Sequence, residues 1–492
     1  MLTSVSIVSI SQTSLSWKKA NFAKTDNMAG RAFQDDEGYP YVLFYEATAF
    51  QVIKGVSFNK FSSDLQFDSR IPIEGTGSKD YLSTFVVGDF VCMAELKMPS
   101  PKSKSNYAMF YNVKGELVKK VEVDAEYNIE SIKLSKDENT IIIYALNKVP
   151  TPNSKIDKDY LVKVMAYDKH FEKIAEESFK FEDVFTSASE VSSLSFDITK
   201  DKKIVAMSTN QKKMKTAQLN LAVFKNTGEK PTVYKYSFED DGVNFEYNFG
   251  KENEIYISGT LASSGPFSKS ADKVLFFINQ PLESDKAAKP VIYEISKQLY
   301  VSYPECKKVL SANKIDPFEI FTMSDGVLYG SMKVIVSTTY SSNVNGGSSS
   351  SKTRYYSNAF VFIKFSFSGE IQWLKVINKE LYCTESYSEM ANFAYKQDGD
   401  KLRVIYNDNP ANIINKSTKL VRASIKKCVP ALGEISSNGD ITTKPLDKLG
   451  KNNCFNYPAK SMIKDGSIIL VSFKPKSFSR PDVYIGKVAL PE

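Results

Sequence analysis

Histidine, the residue type used most often for acid–base catalysis, is nearly absent from this chain. Its 492 residues include a single histidine, His170, in the string YDKHFEK. A Ser-His-Asp or Cys-His arrangement would have to use that residue, and a metal site built from several histidines is excluded. The string is typical of a hairpin tip, so we predict that His170 is a solvated turn residue.

The cysteines do not form a recognisable site either. The chain has five, namely Cys92, Cys306, Cys383, Cys428 and Cys454, with no C-x-x-C pair. An odd number without paired spacing indicates neither a zinc site nor a complete disulfide framework. No calcium-loop string of the D-x-[DN]-x-[DN]-G type occurs. We therefore predict small buried cysteines, no metal and no cofactor.

Chemistry by paired carboxylates needs no histidine and stays open. Glycoside hydrolysis uses two Asp or Glu side chains at a defined separation. The candidates are acids on predicted crossings between repeats, which would converge on a central mouth: Glu126, Glu130, Asp183, Glu190, Glu246, Glu385 and Glu389. The alternative is that they are exposed acids beside lysines. The sequence leaves enzymatic activity open, favours its absence, and assigns no catalytic residue.

Eight copies of one pattern must position these residues. In each copy an acidic or glycine turn is followed by β-branched and aromatic residues, as in SKDENTIIIYAL at 135–146. The turns are marked by Gly38, Gly88, Asp137, Asp201, Glu252, Gly326, Gly399 and Gly466. Successive markers are 50, 49, 64, 51, 74, 73 and 67 residues apart, and the step from the last marker round to the first is 64. Such spacing is typical of a closed ring of repeats.

Each repeat contains the signals for four antiparallel strands. A short apolar stretch precedes the marked turn, a strand follows it, and a variable polar loop leads to a hairpin with a glycine turn such as Lys114-Gly115. Four strands in such a repeat predict a β-propeller blade, so we predict an all-β propeller of eight blades, with seven as the alternative. The last unit lacks its outermost strand, which we expect from the segment between Ser4 and Lys18.

The N-terminus has two interpretations. Residues 2–11 (LTSVSIVSIS) could be the apolar half of an export signal, although no basic residues precede them, or a strand of the ring. We predict an N-terminal segment at 1–30 and a single propeller domain at 31–492. No apolar run reaches the roughly 18 residues of a membrane helix, so we expect a protein that is not transmembrane.

Charge is predicted to collect on one face of the ring. In a four-stranded blade, the second-to-third connections all lie on one face, here named the long-loop face, and the marked turns and glycine turns lie on the opposite, short-turn face. The long loops span residues 46–56, 97–106, 148–159, 209–217, 261–273, 339–355, 407–419 and 474–482. They hold 19 Lys and Arg against 6 Asp and Glu, a net of +13, whereas the whole chain carries +7.

A basic face of this size predicts a docking surface for an anionic partner. The predicted contacts are Lys102, Lys104, Lys212, Lys213, Lys215, Lys352, Arg354, Lys474, Lys476 and Arg480. Candidate partners are an acidic protein or envelope complex, a glycan, or anionic lipid headgroups. Nucleic acid is not favoured, because the net charge is small and no single-strand-binding motif occurs. The alternative is that the lysines only keep the loops soluble.

No WD40, kelch or sialidase signature is present. The strings AYDKHFEKIAEESF at 166–179 and GSIILVSF at 466–473, with the ending DVYIGKVALPE, resemble extracytoplasmic β-propeller-like proteins of the Bacteroidota. The resemblance implies a periplasmic or cell-surface location and membership of an outer-membrane assembly, for example as a partner of the type IX secretion translocon. A cytoplasmic scaffold is the alternative location.

These observations predict a non-enzymatic propeller that binds another macromolecule through its long-loop face. The alternative function is a propeller that binds or cleaves carbohydrate with carboxylates at the central mouth.

Overall fold

Eight sheets of antiparallel strands make up the computed structural model of this protein. Six of them have four strands and two have five, and the outermost strand of the last sheet comes from the N-terminal part of the chain. The structure describes residues 16–19, 26–47, 53–73, 80–87, 90–97, 106–147, 160–185, 190, 193–212, 216–225, 229–239, 242–262, 274–310, 315–341, 350–384, 392–415, 420–421, 423–424, 427–447, 455–464, 466–474 and 482–490.

The first half of the ring follows the chain without interruption. The strand that comes first in the sequence, β1 (Ser16–Lys19), belongs to the last blade. Blade 1 contains β2 (Asp26–Gln34), β3 (Pro40–Ala47), β4 (Ile53–Phe61) and β5 (Phe67–Ile73). Blade 2 contains β6 (Asp80–Val87), β7 (Phe90–Lys97), β8 (Tyr107–Asn112) and β9 (Leu117–Glu122). Blade 3 contains β10 (Asn128–Leu134), β11 (Ile141–Leu146), β12 (Leu161–Tyr167) and β13 (Lys173–Lys180). Blade 4 contains β14 (Ser195–Ile198), β15 (Ile204–Lys212), β16 (Thr216–Val223) and β17 (Thr232–Phe238).

The second half adds small extra elements to the same plan. Blade 5 contains β18 (Gly242–Phe249), β19 (Glu254–Ala262), β20 (Val274–Pro281) and β21 (Val291–Glu294). Blade 6 contains β22 (Ile315–Met323), β23 (Gly326–Ser341), β24 (Ser350–Phe365) and β25 (Ile371–Thr384), and β28 (Ala423–Ser424) joins it in parallel. Blade 7 contains β26 (Ala394–Asp398), β27 (Lys401–Asp408), β29 (Val429–Ser436) and β30 (Ile441–Pro445). Blade 8 contains β31 (Phe455–Asn456), β32 (Met462–Lys464), β33 (Ser467–Lys474) and β34 (Asp482–Ala489).

Short helical turns lie between some of the strands. They are Phe181–Val184, Ile295–Leu299, Tyr300–Ser302, Pro304–Cys306, Lys307–Leu310, Pro410–Asn415 and Pro458–Lys460. None of the helices in the described part of the chain has the length and apolar character needed to span a membrane.

The marked turns of the sequence join the first and second strands of the blades. A residue with positive φ recurs in the turns of blades 1 and 3–8, namely Gly38, Glu138, Lys202, Asn253, Gly326, Gly399 and Gly466. In blades 3, 4 and 5 this residue follows the acidic marker by one position. The acidic marker itself, Asp137, Asp201 or Glu252, therefore does not take the left-handed conformation. In blade 3, Ser135 Oγ donates to Asp137 and Glu138 N donates to Ser135 O, which closes the turn.

Burial explains which sequences form inner and outer strands. β11 is almost wholly apolar (IIIYAL) and nearly every residue is buried, because neighbouring blades cover both faces of the sheet. β9, an outermost strand, has the sequence LVKKVE and only Val121 is buried. Charged side chains on such an outer edge discourage pairing with other chains.

The hydrophobic core consists of eight apolar clusters, one between each pair of neighbouring blades. Between blades 2 and 3, for example, Phe110 packs on Phe171 with ring centroids 5.0 Å apart. Fully burying one such side chain contributes roughly 1.5–3 kcal/mol. Because each blade needs only its two neighbours, a chain of 492 residues needs no single central core.

The ring closes as the sequence predicts. β1 pairs antiparallel with β34, with Trp17 opposite Gly486 and Lys18 opposite Ile485. The cluster between blades 8 and 1 joins Phe44 and Leu65 to Ile469 and Ile485. The prediction of eight four-stranded blades closed by an N-terminal strand is therefore confirmed.

Candidate functional site

The strand order places all eight long loops on the same face of the ring, since each joins the second and third strands of its blade. The four predicted contact residues that the structure describes lie in strands that border those loops. Lys212, Lys352, Arg354 and Lys474 are backbone positions at the ends of β15, β24 and β33. Lys102, Lys104, Lys213, Lys215, Lys476 and Arg480 lie outside the described residues. The ten-residue docking surface therefore stays a prediction.

A second concentration of charge lines the centre of the ring. The innermost strands of blades 3–7 are β10, β14, β18, β22 and β26, and each strand or its following turn supplies a polar side chain to one connected network. We name this set the central network. Its members are Lys133, Lys136, Ser195, Asp197, Glu246, Tyr247, Glu319 and Tyr395.

Lys136 is the member that crosses the ring. It lies in the first turn of blade 3, and its Nζ is 3.0 Å from Glu246 Oε2 of blade 5 and 2.6 Å from Glu319 Oε1 of blade 6. The Tyr395 hydroxyl of blade 7 donates to Glu319 Oε2 over 2.8 Å. A single ammonium group thus joins two carboxylates from blades that are not neighbours of its own.

Lys133 and Asp197 form the other half of the network. Lys133 Nζ donates to Ser195 Oγ at 2.8 Å and to the Tyr247 hydroxyl at 3.4 Å. The Tyr247 hydroxyl donates in turn to Asp197 Oδ2 over 2.7 Å. Lys136 Nζ lies 4.9 Å from the centre of the Tyr247 ring, so both lysines contact this tyrosine.

Burial and neighbouring charge shift the pKa values here in opposite directions. Burial raises the pKa of Glu246 and of Asp197, although Lys136 and Lys133 respectively oppose the shift. Burial lowers the pKa of Lys133. Burial also acts against the charge of Lys136, but Glu319 and Glu246 outweigh it, so the pKa of Lys136 lies above its ordinary value. Of these shifts only that of Lys136 favours the charged form, because two carboxylates surround its ammonium group.

The network can tie blades together, and it supplies carboxylates to the channel. In a glycosidase the space between the two carboxyl groups holds the reacting sugar. Here Lys136 Nζ occupies the space between Glu246 and Glu319. Lys136 contributes to stability through its ion pairs with Glu246 and Glu319. The side chains in these pairs are only 14–29% exposed, so solvent screens their charges less than it does at the surface.

The candidate carboxylates predicted from the sequence do not lie together in the structure. Glu246 and Glu130 lie on inner strands, and only Glu246 joins the central network. Glu126 and Asp183 are exposed on crossings between blades. Glu385 and Glu389 lie outside the described residues.

Glu190 is a structural acid. Its side chain is fully buried in blade 4, where Ser208 Oγ, Asn210 Nδ2 and Asn220 Nδ2 donate to it over 2.8, 3.1 and 2.7 Å. Three donors compensate the loss of hydration on burying a carboxylate. Glu190 therefore holds β15 and β16 to the chain that enters the blade.

Sequence reasoning missed Lys136, Glu319 and Tyr395. A signal for Lys136 existed, because Ser135-Lys136-Asp137 and Thr199-Lys200-Asp201 share one turn motif. Glu319 and Tyr395 carry no comparable signal, since their role depends on which strands meet across the ring.

The remaining candidates behave as simple packing or turn residues. His170 is exposed in the hairpin turn between β12 and β13, where its backbone N donates to Asp168 Oδ1. Cys92, Cys306, Cys383 and Cys428 are buried. Among the described residues no group of His, Cys, Asp and Glu could hold a metal ion.

A buried lysine lies between blades 6 and 7. Lys379 sits at a bulge of β25 and is fully buried, and in the described part of the chain its Nζ has no hydrogen-bond partner. It lies over the rings of Phe360 and Tyr406, 4.5 and 5.6 Å from their centroids. Burial lowers the pKa of Lys379 to about 8, although the charge of nearby Asp408 opposes the shift.

Comparison with known proteins identifies no relatives by sequence. No family model matches this chain, and no curated protein matches it. Among solved structures it resembles the Dos1 propeller, with 10% identity and a TM-score of 0.44 over 96% of this chain and 94% of that chain. It also resembles the β-propeller domain of the Trilobed protease from Pyrococcus furiosus, with 10% identity and a TM-score of 0.38 over 86% and 98%.

A third similar structure is the polysaccharide lyase Uly1, with 12% identity and a TM-score of 0.37 over 85% of this chain and 91% of that chain. Likenesses this distant carry no argument about activity. The fold rests on the strand pairing of the chain itself, which is that of an eight-bladed β-propeller.

Proposed function

We propose that this protein is a non-enzymatic binding propeller of the cell envelope that docks an anionic macromolecule on its long-loop face. The observation that carries the proposal is the coincidence of topology and charge. The strand order gathers the eight long loops on one face, and those loops carry 19 Lys and Arg against 6 Asp and Glu. A surface of this sign raises the local concentration of anionic partners and speeds their association.

The envelope location is part of this proposal and rests on the resemblance of residues 166–179 and 466–473 to extracytoplasmic proteins. On this basis the partner belongs to an outer-membrane assembly such as the type IX secretion translocon. Sequencing the N-terminus of the protein from its own cells tests the location. A start at Gln12 or beyond means export, whereas an intact Met1 would favour the cytoplasm.

Charge reversal on one loop tests the docking surface. In the variant Lys212→Glu, Lys213→Glu, Lys215→Glu, we expect the complex recovered from native membranes at low salt to fall by on the order of tenfold, because steering by the basic face is lost. The measurement is co-purification followed by quantitative mass spectrometry. Moderate salt should weaken the wild-type complex in the same way.

The matched control reverses three exposed lysines of the short-turn face, Lys114→Glu, Lys169→Glu, Lys251→Glu. Both sets lower the net charge equally, so a general charge effect would weaken both complexes alike. Equal recovery from the two variants, or a wild-type chain that purifies alone at both salt concentrations, would overturn the proposal.

A second candidate function is carbohydrate binding or cleavage at the central channel. The specific observation is that Glu246 and Glu319 both contact Lys136 at the centre of the ring, beside Tyr395, a residue that is 37% exposed. A bound glycan would raise the melting temperature of the native protein. A shift with one polysaccharide that disappears in Glu246→Gln supports this candidate, and no shift across a broad polysaccharide panel removes it.

A further inference from the structure

Within the described residues, blade 6 carries a projection that the other blades lack. Its strands β23 and β24 are each 16 residues long and β25 has 14, whereas the second strands of the other blades have 6–9 residues. At about 3.3 Å per residue, the extra length extends the hairpin by roughly 25 Å. Because β23 and β24 are the second and third strands, the projection stands on the long-loop face.

One edge of this projection has no partner strand among the described residues. The innermost strand β22 pairs with β23 only as far as Lys333, which lies opposite Ile315. Beyond it, residues 334–341 pair with β24 on their other side, from Val334 opposite Ser357 to Ser341 opposite Ser350. We call residues 334–341 the open edge, since no strand of the described chain pairs with its second side.

The open edge faces the axis of the ring. In each blade the first strand lies nearest the axis. Within the disc of the propeller, β22 therefore covers the axial side of β23. Beyond Lys333 this same axial side of β23 is uncovered. The backbone groups that every second residue directs to this side are therefore available above the channel.

The sequence of the open edge lacks the features that block pairing. It reads VIVSTTYS, with no charged residue, proline or glycine. Natural edge strands are usually protected by lysine, proline or a bulge. The only bulge here, at Lys333 and Val334, lies at the base of the projection and leaves the rest of the edge regular. β-branched and aromatic residues of this kind favour the extended conformation that a further strand requires.

We propose that an extended, acidic segment of a partner polypeptide adds to the open edge as a further β-strand. Strand addition takes its affinity from main-chain hydrogen bonds, which the edge supplies. The preference for acidic residues follows from charge, because Lys352 and Arg354 lie directly opposite Thr339 and Ser337 on β24 and the long loops net +13. This inference rests on the proposed function and specifies how the partner is held.

Two neighbouring proline substitutions distinguish loss of binding at the open edge from loss of stability of the fold. Successive residues of a strand direct N–H and C=O to opposite sides, so only one of Ser337→Pro and Thr338→Pro removes a donor from the open edge. The other removes a hydrogen bond to β24 and should lower the melting temperature. We expect the variant that melts like the wild-type protein to lose at least tenfold of its partner complex.

Photo-crosslinking identifies what occupies the edge. With benzoylphenylalanine in place of Thr339 in the full-length protein, expressed in its own cells, we expect irradiation to yield a product with an acidic segment of another polypeptide, mapped by mass spectrometry. The same label at Ser368, exposed on the short-turn face of blade 6, is the control and should give none of this product.

Several outcomes would overturn the inference. These are crosslinking to a second copy of this chain, crosslinking to residues of the same chain, no protein product, or full product in both proline variants. If the proline variants keep the partner while reversal of Lys212, Lys213 and Lys215 loses it, strand addition is wrong and the docking function stands. If neither change affects the complex, the proposed function fails as well.

Discussion

At the scale of single residues, Lys379 has the least favourable surroundings of the side chains described above. It is fully buried against Phe360 and Tyr406, and the carboxylate of Asp408 opposes the fall of its pKa. Asp408 is itself 1% exposed, and burial raises its pKa to about 6. Two charges buried close to each other attract, but the loss of hydration exceeds that attraction for both.

Replacing Lys379 should therefore stabilise the protein. The pKa of Lys379 falls to about 8 on folding. At any pH at which this lysine is charged in the native state, it destabilises that state. This penalty is complete below pH 8 and fades as pH rises toward the ordinary lysine value, because in that window the unfolded chain binds a proton that the folded chain lacks. We expect Lys379→Met to raise the free energy of unfolding by about 1–3 kcal/mol at pH 7.

The measurement is denaturant unfolding at pH 7 and at pH 10, where the advantage of the variant should shrink. Lys375→Met is the matched control, since Lys375 lies on the same strand and is exposed. Its effect should stay within about 0.5 kcal/mol. A Lys379→Met protein less stable than the wild type at pH 7 would show that the ammonium group is compensated.

At the scale of elements, the sequence predicts strands and turns better than lengths. The marked turns could be located because a left-handed residue needs Gly, Asn or a short polar motif, as at Gly38 and Asn253. The length of β23 could not be predicted, since the polar residues of the projection resemble those of an ordinary loop. The central network could not be predicted either, because Lys136 and Glu319 are 183 residues apart in the sequence.

The closing strand β1 gives an element-scale prediction. Its four residues pair with Tyr484, Ile485, Gly486 and Lys487. Removing residues 1–20 should lower the free energy of unfolding by about 2–4 kcal/mol, since each ladder hydrogen bond contributes roughly 1 kcal/mol. It should also expose the edge of β34 and promote association. Thermal unfolding and size-exclusion chromatography measure the two effects.

The control for this truncation removes only residues 1–11 and keeps β1. It should unfold at the wild-type temperature and elute at the wild-type volume. If the two truncated proteins behave identically, closure by β1 adds nothing to stability.

At the scale of the whole molecule, the strand order determines the face of the ring to which each connection belongs. That assignment could be made from the sequence because it depends on the order of the strands and not on the conformation of the loop. The long loops carry +13 of a chain whose total is +7, so the remaining residues net −6. The contacts within the channel depend instead on distances across the ring, which no repeat pattern encodes.

Closure by β1 also has a consequence for the time course of folding. Trp17 pairs with Gly486. The core residues Val42 and Phe44 of blade 1 can pack against Ile469 and Ile485 of blade 8 only after blade 8 has been synthesised. At about 5–20 residues per second, a ribosome needs roughly 25–100 s to make this chain. Throughout synthesis one apolar side of blade 1 has no partner. The nascent protein therefore depends on protection of its earliest blade until its last residues emerge.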